Sequence, residues 1–128
     1  MKYGYQRQVH LSFEVVDEKI RETLKSNGFG VITEIDVKKT MREKLDEPFK
    51  KYKILGACNP PIAHQALTME SEIGLLLPCN VVIWENEDKS TTVSAIDAKK
   101  MLSITGLEGL DEMASHVNNL LKKSVDSV

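Results

Sequence analysis

Two thiols and one imidazole are the side chains here whose type and placement could do chemistry: Cys58, Cys79 and His64. Cys58 stands immediately before Asn59-Pro60-Pro61, a helix opening in which Asn caps the first turn and Pro supplies a fixed φ suited to it. A thiol beside a helix N-terminus is drawn toward thiolate by the partial positive charge of unpaired N–H groups, which suits redox or nucleophilic work. Pro60 and Pro61 carry no N–H, however, and remove two of the roughly four free donors of such a helix start. The same loss weakens the loop as an anion cradle, and the chain holds no P-loop or dinucleotide fingerprint. The competing reading of Cys58 is a small apolar residue filling the end of a strand.

His64 follows Cys58 by six residues, and with Cys79 the three offer the ligand types that hold zinc or copper. Their spacing matches no recognised zinc or redox motif, so no metal and no other cofactor is expected, and His64 reads as a helix-surface or a satisfied, partly buried residue. Whether Cys58 and Cys79 meet, as a redox pair or otherwise, depends on residues 73–78 leading the chain back to the sheet edge where Cys58 ends its strand. Residues 38–53 carry Lys38, Lys39, Arg42, Lys44, Lys50, Lys51 and Lys53 against Glu43, Asp46 and Glu47. That stripe has few aromatic neighbours and the remainder of the chain is acidic, so it reads as a solvated face rather than a nucleic-acid surface. Asp97 ends one predicted element and opens the next, as a cap does. No Ser-His-Asp or Cys-His-Asn signature is present.

The elements that must position these residues alternate between the two periodicities. Gly4 to His10 reads as a strand. Ser12 caps a helix whose Phe13, Val16, Ile20 and Leu24 form one stripe, with Gly28 as its stop. Phe29 to Ile35 predicts a second strand with Phe29, Val31, Thr33 and Ile35 on one side and Ile32 on the other. Asp36 caps a short helix over Val37 to Leu45, and Lys51 to Cys58 is a third strand. A helix runs from Asn59 to about Glu70. Cys79 to Trp84 is an apolar run fit for burial on both faces, and Thr91 to Ile96 completes a hairpin with it. A mixed stretch with Met101, Leu102 and Ile104 precedes a last helix with Leu110, Met113, Val117, Leu120 and Ser124 on one side.

The order β-α-β-α-β-α-β-β-α with a hairpin near the end predicts α+β, a largely antiparallel sheet with helices on one face. The chain's 128 residues, 41% hydrophobic and 28% charged with 17 basic against 19 acidic side chains, suit one compact domain over 1–128. The most apolar run, Ile73 to Trp84, is too short to span a bilayer, and Met1 to Arg7 has no apolar signal core. A cytoplasmic protein with reduced thiols and no membrane or nucleic-acid partner is the expectation.

Three phrases, Tyr52-Lys53-Ile54-Leu55-Gly56-Ala57-Cys58-Asn59-Pro60, Ala63-His64-Gln65-Ala66-Leu67 and Ile73-Gly74-Leu75-Leu76-Leu77-Pro78-Cys79-Asn80-Val81-Val82, together with Ser94-Ala95-Ile96-Asp97 and Met101-Leu102, resemble the domain of unknown function 302 family. The resemblance covers nearly the whole chain. It implies a two-layer α+β domain of the TATA-box-protein-like fold, with a curved antiparallel sheet on long helices, and it implies no reaction. Ala98 departs from it, standing where Pro is common.

These readings lead to a non-catalytic module that holds a small apolar or sulfur-bearing molecule beside the sheet, with Cys58, Asn59, His64 and Cys79 as candidate contacts. Met69 and Trp84 are candidate lining, alongside Met41, Met101 and Met113. A thiol-dependent or metal-binding protein centred on Cys58 is the alternative. A homodimer is also expected, with one edge of the last helix open to a neighbour.

Overall fold

The structure is a computed structural model that describes residues 3–128; Met1 and Lys2, the first residues of the segment read for a signal, lie outside the described residues. Its elements run β1 (Gly4–Val9), α1 (Phe13–Ser26), β2 (Gly30–Asp36), α2 (Val37–Leu45), β3 (Tyr52–Cys58), α3 (Pro60–Met69), a 3-10 helix (Ser71–Leu76), β4 (Cys79–Glu85), β5 (Thr91–Ile96), α4 (Ala98–Ser103) and α5 (Asp111–Asp126). The strands form one antiparallel sheet in the order β1-β5-β4-β3-β2.

Local chemistry sets the helix starts. Ser12 accepts a hydrogen bond from Val15 N at 3.2 Å, and Asp36 accepts one from Lys39 N at 3.0 Å. Gly28, at φ 86°, takes the left-handed turn that ends α1. The predicted stripe is the buried one: Phe13, Val16, Ile20 and Leu24 face the sheet. Helix α5 lies beside α1, and Thr23 Oγ1 donates to the Ser124 carbonyl at 2.8 Å across that contact. Its buried residues are Ala114, Val117, Leu121, Ser124 and Val125, so the stripe is rotated toward Leu121 and Val125 from the one read through Leu120.

Strand alternation divides the sheet into two faces. Val9, Val93, Val81, Ile83, Leu55 and Ala57 point at α1 and α5 and form the core. Strand β4 is fully buried on this side only: Cys79, Val81 and Ile83 are buried, while on the other side Asn80 is exposed and Val82 and Trp84 are half-buried. The expectation of burial on both faces fails because no layer covers the other side. Strand β2 also departs from simple alternation. A bulge between Val31 and Thr33 places Ile32 out of register, so Val31 pairs with Ala57 on the helix side while Thr33 and Ile35 face away.

The end of the basic stretch, at Lys51 and Lys53, is paired with carboxylates of α1 where it folds. Lys51 Nζ lies 2.8 Å from Glu14, Lys53 Nζ lies 2.8 Å from Asp17, and Arg21 binds both Asp17 and Glu34. Desolvation pushes the Asp17 carboxyl up, but hydrogen bonds from Lys53 and Arg21 outweigh it and hold the group below the usual carboxylate range.

Candidate functional site

The feature with the shape of a binding site is a cavity of about 260 Å³ where the ends of β3 and β4 meet three helices. Each wall has a local cause. Ala57 and Cys58 end β3, and Asn59 then turns the chain, its Oδ1 accepting from Ile62 N at 3.2 Å while Pro60 and Pro61 begin α3. The small side chains Ala63 and Ala66, one turn apart on α3, leave space that Ile62 and Leu67 border. Leu77 and Pro78 close one side and Cys79 begins β4. Helix α4 brings Ala98, Met101 and Leu102, α5 brings Met113 and Val117, and Phe29 and Ile32 complete the wall from the start of β2.

Helix α4 is the element the sequence did not reveal, and its placement depends on one side chain. Asp97 caps it by accepting from Lys99 N and Lys100 N. Asn118 on α5 donates to Asp97 Oδ1 at 2.9 Å and accepts from Ala98 N at 2.7 Å. A proline at position 98 has no N–H to give, so Ala98 gains this tie to α5. Asn118→Ala leaves two polar partners without their bond; we expect a loss of about 2 kcal/mol in urea unfolding and exchange broadening of the Met101 methyl resonance. Unchanged unfolding and a sharp methyl signal would contradict this role.

The thiols share the cavity without forming a bond, and both are free. The 3-10 helix and Leu77-Pro78 do return the chain to the edge where β3 ends, so Cys79 stands opposite Ala57 with Cys58 diagonal to it. Alternation sends successive Cβ atoms to opposite faces, which turns the Cys58 and Cys79 vectors apart and disfavours a direct disulfide. Burial pushes the Cys79 thiol up to about 11, with the nearby Cys58 adding a smaller push. Cys58 is half-buried at the strand's end.

The other candidates fall outside. His64 is on the exposed side of α3 and does not line the cavity. Among the described residues, no group of three His, Cys, Asp or Glu side chains is placed to hold a metal. Met69 is largely exposed near the end of α3, beside Gly109. Trp84 lies on the opposite, helix-free face of the sheet, stacked on Tyr52 with ring centroids 5.8 Å apart, because its parity matches Asn80 and Val82 rather than Cys79. Of the four lining methionines expected, Met101 and Met113 line the cavity; Met41 does not. Nothing in the sequence marks Phe29, Ile62, Leu77, Leu102 and Val117 as lining; the pairing of Ala63 with Ala66 is the one local sign that α3 leaves room.

Comparison with known proteins agrees with this architecture. The family model "Domain of unknown function DUF302" matches residues 5–128, and the chain belongs to that family. It is similar to the crystal structure of an uncharacterized conserved DUF302 protein from Bacillus stearothermophilus, with a TM-score of 0.91 and 24% identity over 99% of this chain and 98% of that one. That likeness shows the fold. No curated protein matches. Among the described residues, no helix is long and apolar enough to cross a membrane.

Proposed function

We propose that this protein is a non-catalytic binding module that takes one small, neutral, largely apolar molecule into the cavity between α3, α4, α5 and the ends of β3 and β4. The observation that carries the reading is the cavity itself: about 260 Å³ walled almost wholly by carbon and sulfur. An apolar void of about 150 Å³ holds benzene, so this one has room for roughly ten non-hydrogen atoms. The space is half open, bordered by the exposed Ile32 and Leu67, and a guest seated in it would remove its apolar wall from water. Met101 and Met113 are unbranched and polarizable, able to repack around different shapes. Cys58 and Asn59 give the wall its few polar atoms, and they would orient a guest with one polar end. A cytoplasmic setting suits two free thiols.

The test uses indole and naphthalene as probes with methionine-methyl NMR. The Met101 and Met113 methyl resonances should shift and saturate while that of Met41 stays in place. At a probe concentration 100-fold above Kd, the native state should gain about 2.7 kcal/mol against unfolding. Ala66→Leu should fill the space and abolish both effects. Probes that leave Met101 and Met113 unmoved, or that still bind the Ala66→Leu protein, would overturn the proposal. Trp84 fluorescence is a poor reporter here, since that ring lies across the sheet from the cavity.

A further inference from the structure

We infer that the helix-free face of the sheet is the surface through which two copies of this chain pair. Register and alternation put Gly4, Gln6 and Gln8 of β1, Thr92, Ser94 and Ile96 of β5, Asn80, Val82 and Trp84 of β4, Tyr52, Ile54 and Gly56 of β3, and Thr33 and Ile35 of β2 on that face. Three positions from each of four strands and two from the fifth make fourteen, and none is charged, in a chain with 28% charged residues. An antiparallel sheet that faces water on one side ordinarily alternates apolar-in and polar-out. Here the outward positions at the centre are Ile54, Val82, Tyr52 and Trp84, and Ile35 is 49% exposed. The charges of the same strands, among them Arg7, Lys53, Glu34 and Glu85, fall on the helix side and its rim.

The lack of charge selects the occupant. A nucleic acid or an anionic membrane would call for Lys and Arg across the surface; none of the fourteen strand positions is Lys or Arg, and the cation that reaches this face, Lys50, lies over the Trp84 ring, 5.5 Å from its centre. A broad neutral sheet is complementary to another of its kind, and two sheets pack face to face with strands about 30° apart. Fourteen positions, each about 6.7 Å along the strand by 4.8 Å across, make a plane of about 450 Å². Thr92 is 5% exposed and Gly56 is buried, so the remaining positions, with Tyr3 and Phe49 exposed at the margins, form a contact at the small end of specific interfaces. Helix α5, by contrast, spends its apolar stripe inside the chain on α1 and the sheet.

Sedimentation velocity at micromolar concentration tests the pairing. The wild type should run at twice the 14.4 kDa chain mass. Val82→Lys, at the centre of the face, and Ile35→Lys, at an already exposed edge position, should each lower the dimer affinity at least tenfold with an unchanged far-UV spectrum. Leu75→Lys, 82% exposed and off the face, should leave the mass as it is. A monomeric wild type, a dimer indifferent to both face variants, or a monomer that floats with phosphatidylserine vesicles through this face would each overturn the inference.

Discussion

Gly56→Val should lower the stability of this protein by about 3 kcal/mol or more and its Tm by roughly 10 °C, the largest effect expected of a single substitution. Gly56 sits in the middle of β3 with ordinary extended backbone, so conformational freedom is not its purpose. A Cβ there would lie 2.0 Å from Thr33 Oγ1 and 2.6 Å from Pro78 Cγ. Thr33 can turn aside about χ1. Pro78 cannot, because its ring is part of the backbone that brings β4 back beside β3. The clash must therefore push the Leu77-Pro78 segment away from the sheet, opening the cavity wall beside Cys58. Differential scanning calorimetry on Gly56→Ala, Gly56→Val and the Gly56→Ala/Thr33→Ala double variant measures it. The double variant should recover part of the loss, since neighbours sharing one space do not add. A Gly56→Val protein within 0.5 kcal/mol of wild type would show that strand β3 has room the structure does not display.

The second large effect concerns Cys79. At neutral pH a thiol whose pKa is raised from 9.0 to about 11 holds about a hundredfold less thiolate than an ordinary one. Iodoacetamide should thus alkylate the half-buried Cys58 in native protein and leave Cys79 unmodified until the chain unfolds. The same shift predicts a pH dependence. Between about pH 9 and 11 the unfolded chain gives up the Cys79 proton while the native state keeps it, so the unfolded state binds fewer protons and stability falls as pH rises. The full loss is about 3 kcal/mol, complete only above the native value. Tyr52, raised by burial, and Lys53, raised by its hydrogen bond to Asp17, titrate in the same region, so the reading is the difference between wild type and Cys79→Ala in urea unfolding. Equal alkylation of both thiols, or the same pH slope in both proteins, would contradict the buried neutral thiol.

Much of the architecture could be read from residues that act locally. Ser12 with apolar residues every three or four positions defined α1, Asn59-Pro60-Pro61 defined the start of α3, and Asp97 announced a cap, because each encodes its geometry within one turn. What escaped reading depends on contacts far apart in sequence. The outward face of β4 is as apolar as its inward face, so Cys79 to Trp84 carried no visible alternation. Asn80 alone marked the parity that sends Trp84 away from the cavity. The bulge at Ile32 changes which residues of β2 face the helices, and no residue type there announces it. Helix α4 is too short for periodicity to show, and its position is set by Asn118, some twenty residues later. The cavity itself collects residues from seven segments, so Cys58 and Cys79 were recognisable as candidates while Phe29, Leu102 and Val117 were indistinguishable from core.

The central claim is that the space beside Cys58 admits a neutral guest, and the most direct measurement is anomalous diffraction from a crystal of the protein soaked in iodobenzene. The account predicts an iodine peak inside the cavity, between Met101 and Met113 on one side and the ends of β3 and β4 on the other. A cavity without iodine, while the compound is found only elsewhere on the molecule, would contradict it.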